Sequence, residues 1–140
     1  MSIYLFFSLI NFKYEIANKI SKATNIDVEE IESDRINISK DFSDETGAVL
    51  LLKGHHTIVT SPSLKQYINN TGNAGMASAG SGDVLAGMIT ALLGQHIEPL
   101  MAAACGAWLH GAAADLCVEE IGQYGMLPTD LLSVLPRLLK

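Results

Sequence analysis

Four glycines fall in the eleven residues from Gly72 to Gly82, and an apolar, helix-forming run starts directly after Asp83. Glycine tolerates positive φ and lets a backbone come close to a ligand. The first amides of a helix point outward without partners and carry about half a unit of positive charge. A glycine-rich loop feeding a helix N-terminus therefore makes a backbone anion hole suited to phosphate. The chain carries a net charge of −6 with pI near 5.0. No basic stripe is present, which argues against nucleic acid as a partner. An anionic ligand must be held by local backbone, not by the global field. Asp83 at this junction has two readings: a base for a substrate hydroxyl attacking phosphorus, or a helix cap. Spacing alone leaves both open.

The rest of the chain argues for α/β. Its 140 residues make one domain's worth of chain, and residues 1–140 read as a single domain. Residues 1–12 are apolar without a basic lead or a cleavage site, and fall well short of the about 20 residues that cross a bilayer. They read as a strand. Residues 13–46 read as helical: a short helix over 14–23 with Ile16, Ala17 and Ile20 on one face, then a helix capped by Asp27 and running to about Phe42, with Glu29 and Glu30 in its first turn. Residues 47–140 form the candidate nucleotide-binding part. Ala48 to Lys53 is an unbroken apolar run, the pattern of a strand covered on both faces, as in parallel sheets. Thr57–Thr60 and Gln66–Asn69 are further strands. Helices are expected over 83–93 (closed by Gly94), over 98–119 and, behind a Thr129-Asp130 cap, over 131–139. The second of these carries a stripe of mostly small residues (Leu100, Ala103, Ala104, Ala107, Gly111, Ala114, Val118) suited to close approach to a sheet.

Other polar residues have plain explanations. Cys105 and Cys117 lie in one helix, roughly 18 Å apart by helical rise, too far for a disulfide. Two isolated thiols suit a reducing, cytoplasmic compartment, and no metal ligand set is apparent. His110 in an Ala/Gly-rich helix reads as a packing histidine. Trp108 reads as core or as an interface residue.

Ala79-Gly80-Ser81-Gly82-Asp83 resembles the Gly-x-Gly-Asp signature of ribokinase-like enzymes. Gly72-Asn73-Ala74-Gly75-Met76-Ala77 is similar to the Gly-Asn-Pro-Gly-Met-Ala that precedes this signature in ADP- or ATP-dependent NAD(P)H-hydrate dehydratases. Lys53-Gly54-His55-His56-Thr57 resembles their Lys-Gly-x-x-Thr loop, and Glu98-Pro99-Leu100, His110-Gly111 and Gly122-Gln123-Tyr124-Gly125 continue the likeness in order. The resemblance runs from about Asp27 to the C-terminus. It implies a ribokinase-like three-layer α/β/α fold with a mostly parallel sheet, truncated to its C-terminal half.

The resemblance also implies the reaction: dehydration of hydrated NADH or NADPH, with ADP or ATP as co-substrate and Mg2+. Asp83 would activate the substrate hydroxyl. Gly80, Ser81 and Gly82 would hold the transferring phosphoryl group through backbone amides. Lys53, Gly54, His55, His56 and Thr57 would border the adenine nucleotide. Asn73 would order the loop near the phosphates. Two alternatives use the same residues: a non-catalytic remnant that binds adenine nucleotide, and a ribokinase-like small-alcohol kinase. The pattern departs from the family at Ala74, where Pro is usual, and at Asn11-Phe12, where a Pro-His is expected. Imidazole donates and accepts hydrogen bonds; phenylalanine does neither. The implied partners are the small-molecule substrate and nucleotide, with no membrane, and either a second copy of the chain or a separate N-terminal half.

Overall fold

The computed structural model describes Ser21 and residues 26–139. The strand expected over 1–12, and all of the 14–23 helix except Ser21, lie outside the described residues. The chain forms two compact units, divided between Ile68 and Asn69.

The first unit contains α1 (Val28–Ser33), α2 (Arg35–Thr46), β1 (Leu50–Leu52), β2 (Ile58–Thr60) and β3 (Gln66–Ile68). The single helix expected from Asp27 to Phe42 is two helices. Asp34 breaks it at φ −138° and ψ 54°, and its carboxylate accepts from the Asn37 amide at 3.3 Å and from the Asn37 side chain. An aspartate that competes for the backbone ends one helix and caps the next. Asp27 stands at the N-cap of α1 but makes no side-chain capping bond. Gly47, at φ 64°, closes α2 and donates its N–H to the Ser43 carbonyl.

The strands form one sheet in the order β1-β2-β3, both pairs antiparallel, with Leu51 opposite Val59 and Val59 opposite Tyr67. Among the described residues both pairings are therefore antiparallel, where the apolar run had suggested a parallel neighbour. Residues 53–57 and 61–65 are the only connections, and a parallel crossover needs about a dozen residues or more. The apolar run reported burial on both faces, not strand direction. Leu50, Leu52 and Ile58 pack with Ile31 and Phe42 from the helices, while Leu51 and Val59 are buried on the opposite face. A polar seam joins α2 to the sheet. Gln66 Nε2 donates to the Ile36 carbonyl (2.9 Å), Ser39 Oγ (2.9 Å) and Thr60 Oγ1 (3.0 Å), and the Ser43 hydroxyl lies against the Ala48 and Thr60 carbonyls. The buried hydroxyls of this seam are thereby partnered.

The second unit contains a 3-10 turn (Ala74–Met76), α3 (Ser81–Gly94), α4 (Pro99–Gly125) and α5 (Asp130–Leu138). Glu98 caps α4 by accepting from the Met101 amide at 3.1 Å, and Pro99 occupies the first turn. At Gly122 (φ 72°, ψ 164°) the helical path of α4 breaks. Asp130 holds the Leu127 amide at 2.8 Å, so it fixes the approach to α5, and Thr129 makes no side-chain capping bond. Two glycines of α4 are points of close approach within this unit. A Cβ on Gly106 would lie 2.5 Å from Ile89 of α3, and one on Gly111 would collide with Thr71. They admit a helix and a loop. Ala113, Ala114, Cys117, Met126, Leu131 and Val134 form the core beside α5. By length and composition α4 could cross a bilayer, yet its most apolar stretch is 56% buried inside the fold, as in a core helix. Trp108 is 48% exposed, so it is not core.

Candidate functional site

The glycine-rich segment is fastened to one face of α4. Thr71 Oγ1 lies 2.9 Å from the Trp108 carbonyl oxygen and 3.0 Å from Asn69 Oδ1. The Asp115 carboxylate accepts from the Gly72 amide at 2.8 Å and from Asn73 Nδ2 at 3.0 Å. Asn73 Oδ1 in turn accepts from the Gly75 amide at 3.0 Å, starting the 3-10 turn. Asn73 thus orders this loop with both ends of its carboxamide.

Gly80 then takes φ 90°, a conformation costly for any residue with a Cβ, and becomes the N-cap of the 14-residue helix α3. The amides of Asp83 and Val84 both donate to the Gly80 carbonyl, at 3.0 and 3.2 Å. The Ser81 amide reaches the Ser78 carbonyl only at 3.4 Å. The amides of Gly80 and Gly82 make no hydrogen bond among the described residues; Gly80 is exposed and Gly82 buried. A helix N-terminus with uncommitted amides carries positive charge without a single cationic side chain.

Ser81 contributes backbone only. Its hydroxyl is buried and lies 3.2 Å from Nε2 of His110, itself 3% exposed. His110 is the packing histidine its surroundings suggested, with the added task of turning the Ser81 side chain inward. Asp83 is two residues into α3 past Ser81, exposed, and accepts no hydrogen bond among the described residues. Gly80 occupies the cap position, so capping does not account for Asp83. A free carboxylate beside an anion-binding helix start can take a proton from an incoming hydroxyl.

The Lys53–Thr57 turn belongs to the first unit and joins β1 to β2. His55 and His56 are exposed, their rings 4.0 Å apart, and Thr57 Oγ1 reaches the Gly54 carbonyl at 3.3 Å. The turn is braced by Arg35, whose Nη1 donates to the His55 carbonyl at 2.8 Å and Nη2 to the Leu52 carbonyl at 3.0 Å. A Cβ on Gly54 would stand 2.7 Å from that guanidinium. Replacing Arg35 by Met should lower stability by about 2 kcal/mol, the scale of lost hydrogen bonds from a charged donor. Lys should restore only part, since an ammonium has no planar fork. Urea unfolding followed on the three chains tests this.

Sequence reasoning missed Arg35 and Asp115. Arg35 lies among other polar residues, and only the distant backbone it meets distinguishes it; Asp115 is the one Asp, Glu, Lys or Arg between Pro99 and Val118, and that isolated charge was the signal available. Among the described residues no three His, Cys, Asp or Glu side chains cluster to hold a metal. A Mg2+ ion fits here only in its usual nucleotide mode, on one or two carboxylates with phosphate oxygens completing the shell. With Asp83 reserved for the proton, phosphate oxygens and water would be the ion's main ligands. Burial, reinforced by the Asp130 and Glu120 carboxylates, pushes the Cys117 thiol up, so it stays a neutral core side chain. Both cysteines are free thiols.

Comparison with known proteins gives a consistent result. The family model described as NAD(P)H-hydrate dehydratase matches residues 16–137. A bifunctional NAD(P)H-hydrate repair enzyme of Moorella thermoacetica is 51% identical over 110 residues, 79% of this chain and 21% of that one. The crystal structure of an ADP/ATP-dependent NAD(P)H-hydrate dehydratase from Bacillus subtilis, co-crystallised with ATP/Mg2+ and soaked with CoA, superposes with a TM-score of 0.83 at 32% identity. It covers 88% of this chain and 46% of its own. A ribokinase-like protein of Enterococcus faecalis follows with a TM-score of 0.71 at 28% identity, covering 85% of this chain and 40% of its own. The chain thus spans less than half the length of each of these proteins.

Proposed function

Since the chain belongs to the NAD(P)H-hydrate dehydratase family, we propose that it takes part in nucleotide-dependent dehydration of hydrated NADH or NADPH, a repair of damaged nicotinamide cofactors. The observation that carries this reading is the open start of α3: Gly80 at φ 90°, uncommitted amides at Gly80 and Gly82, and an exposed, unbonded Asp83.

In this reading the amides from Gly80 to Gly82 hold the phosphoryl group being transferred. Asp83 takes the proton of the hydrate's hydroxyl as that oxygen attacks phosphorus. The O–P bond forms as the phosphoanhydride breaks, leaving AMP from ADP or ADP from ATP. The phosphorylated oxygen then departs as phosphate, its C–O bond breaking while a neighbouring carbon loses a proton, and the reduced nicotinamide is restored. Bound Mg2+ neutralises charge on the bridging phosphate oxygens. The Lys53–Thr57 turn is assigned to the adenine nucleotide on the strength of its likeness to the family loop. Assembly with a second copy, or with a polypeptide carrying the N-terminal part of the family fold, belongs to the same proposal.

The test uses purified chain, ADP or ATP, Mg2+ and hydrated NADH, with and without such an N-terminal polypeptide, followed by the returning absorbance of reduced nicotinamide. Turnover supports the reading. Absence of turnover with a nucleotide-dependent rise in Tm leaves a binding module, because a ligand held by the native state alone raises its stability. Phosphorylation of small alcohols without action on the hydrate selects the kinase alternative.

A further inference from the structure

We infer that Asp115 is a positioning residue for the phosphate-holding segment: from α4 it locks Gly72 and Asn73 so that the chain running to Gly80–Asp83 is ordered before nucleotide arrives. The inference rests on the nucleotide-binding reading above and extends it to a residue outside the segments that carried the resemblance.

The geometry is that of a clamp. The two carboxylate oxygens of Asp115 are divided between two donors of one loop, the Gly72 amide at 2.8 Å and Asn73 Nδ2 at 3.0 Å. Asn73 passes the restraint on, because its Oδ1 holds the Gly75 amide at 3.0 Å and Gly75 lies in the 3-10 turn. Thr71 meets the Trp108 carbonyl, and its backbone abuts Gly111. Residues 108, 111 and 115 are spaced by three and four, so they lie along one face of α4. A loop of the highest backbone entropy is thereby fixed to a rigid helix at three successive points. Among the described residues Asp115 makes no ion pair, so its charge is not spent on a cation.

The physical reason for such a clamp is entropy. Glycine loses more conformational freedom on ordering than any other residue. A loop that orders only when nucleotide binds takes that loss out of the binding free energy. A carboxylate suits the task because it accepts at both oxygens. Asparagine has the same shape but presents an NH2 to one of two donors, so Asp115→Asn opposes N–H to N–H without creating a cavity.

The test measures two quantities on the full chain: ADP affinity by calorimetry, and hydrogen exchange of the Gly72 amide by NMR. Asp115→Asn and Asn73→Ala should each weaken ADP binding about tenfold, or about 1.4 kcal/mol. The double variant should lose clearly less than a hundredfold, because the two residues share the Asn73–Asp115 bond and act on one loop. Asp115→Glu, which keeps both acceptors, should lie nearer the wild type. Gly72 exchange should quicken at least tenfold in Asp115→Asn, while Ala113 and Ala114 in α4 keep their protection. Unchanged Gly72 exchange, or losses that multiply in the double variant, would overturn the inference. If the wild-type chain binds no ADP, the functional reading fails on its own, and the Gly72 exchange rates still decide whether Asp115 holds the loop.

Discussion

Asp83→Asn is expected to lower kcat for hydrate dehydration by about 10²–10⁴-fold, the span usually lost with a general base. ADP affinity should hold or rise slightly. The argument is one of charge and position. Asp83 is exposed just inside the start of α3, takes no hydrogen bond among the described residues, and leaves capping to Gly80. An acidic side chain next to bound phosphate repels its ligand, so its presence must be repaid at another step. Removing the charge while keeping the shape should relieve the repulsion and abolish proton removal. Steady-state rates beside calorimetric ADP titrations separate the two effects. Turnover near the wild-type rate in the Asn variant would strip Asp83 of its role; weakened ADP binding with unchanged kcat would make it a binding residue instead.

Gly111→Ala should have the largest structural effect of any single methyl addition in the second unit. A Cβ there would lie 2.2 Å from Thr71 Oγ1 and 2.5 and 2.6 Å from the Thr71 carbonyl carbon and oxygen. Backbone atoms cannot rotate aside as a side-chain tip can. Nor can α4 retreat freely, since Gly106 on the same helix already sits against Ile89 of α3. Either the helix pair opens or residues 71–73 leave their place. Overpacking of this kind costs about 1–3 kcal/mol, and each kcal/mol lowers Tm by about 2–8 °C for domains of this size range. If the loop gives way, the Gly72–Asp115 bond breaks with it and ADP affinity should fall alongside stability. Gly87→Ala is the control. Gly87 is an exposed residue inside α3 with nothing within 4 Å of a new Cβ, so the change should stabilise by up to about 1 kcal/mol. Equal effects from the two substitutions would refute the close approach at Thr71.

Much of the site was legible in the sequence because its chemistry is backbone chemistry. Glycines at 72, 75, 80 and 82 announce positive φ or tight quarters, and two of the four, Gly72 and Gly80, do have positive φ. The helix expected from Asp83 begins two residues earlier, at Ser81. The family signature, read from Ala79 to Asp83, agrees with the matching family model. What stayed hidden is what depends on distant partners. Nothing in the residues around Asp115 or Arg35 names Gly72 or the His55 carbonyl as a target. The direction of β1's neighbour was misjudged for a related reason. Leu50, Leu51 and Leu52 are buried on both faces, and that apolarity is the same in a parallel and an antiparallel neighbour. The lengths of the connections were the better guide. The helix break at Asp34 was overlooked because the charged residues around it suit an uninterrupted helix equally well, and the difference lies in one carboxylate folding back onto Asn37.

Titrating ADP into the 15N-labelled chain and following the backbone amides tests the central claim most directly. A phosphate seated at the start of α3 predicts that the largest shifts fall on Gly80, Ser81 and Gly82, with smaller ones at Asp83 and Val84. Saturable shifts confined to other segments, with those three amides unmoved, would contradict a phosphate site at this helix N-terminus.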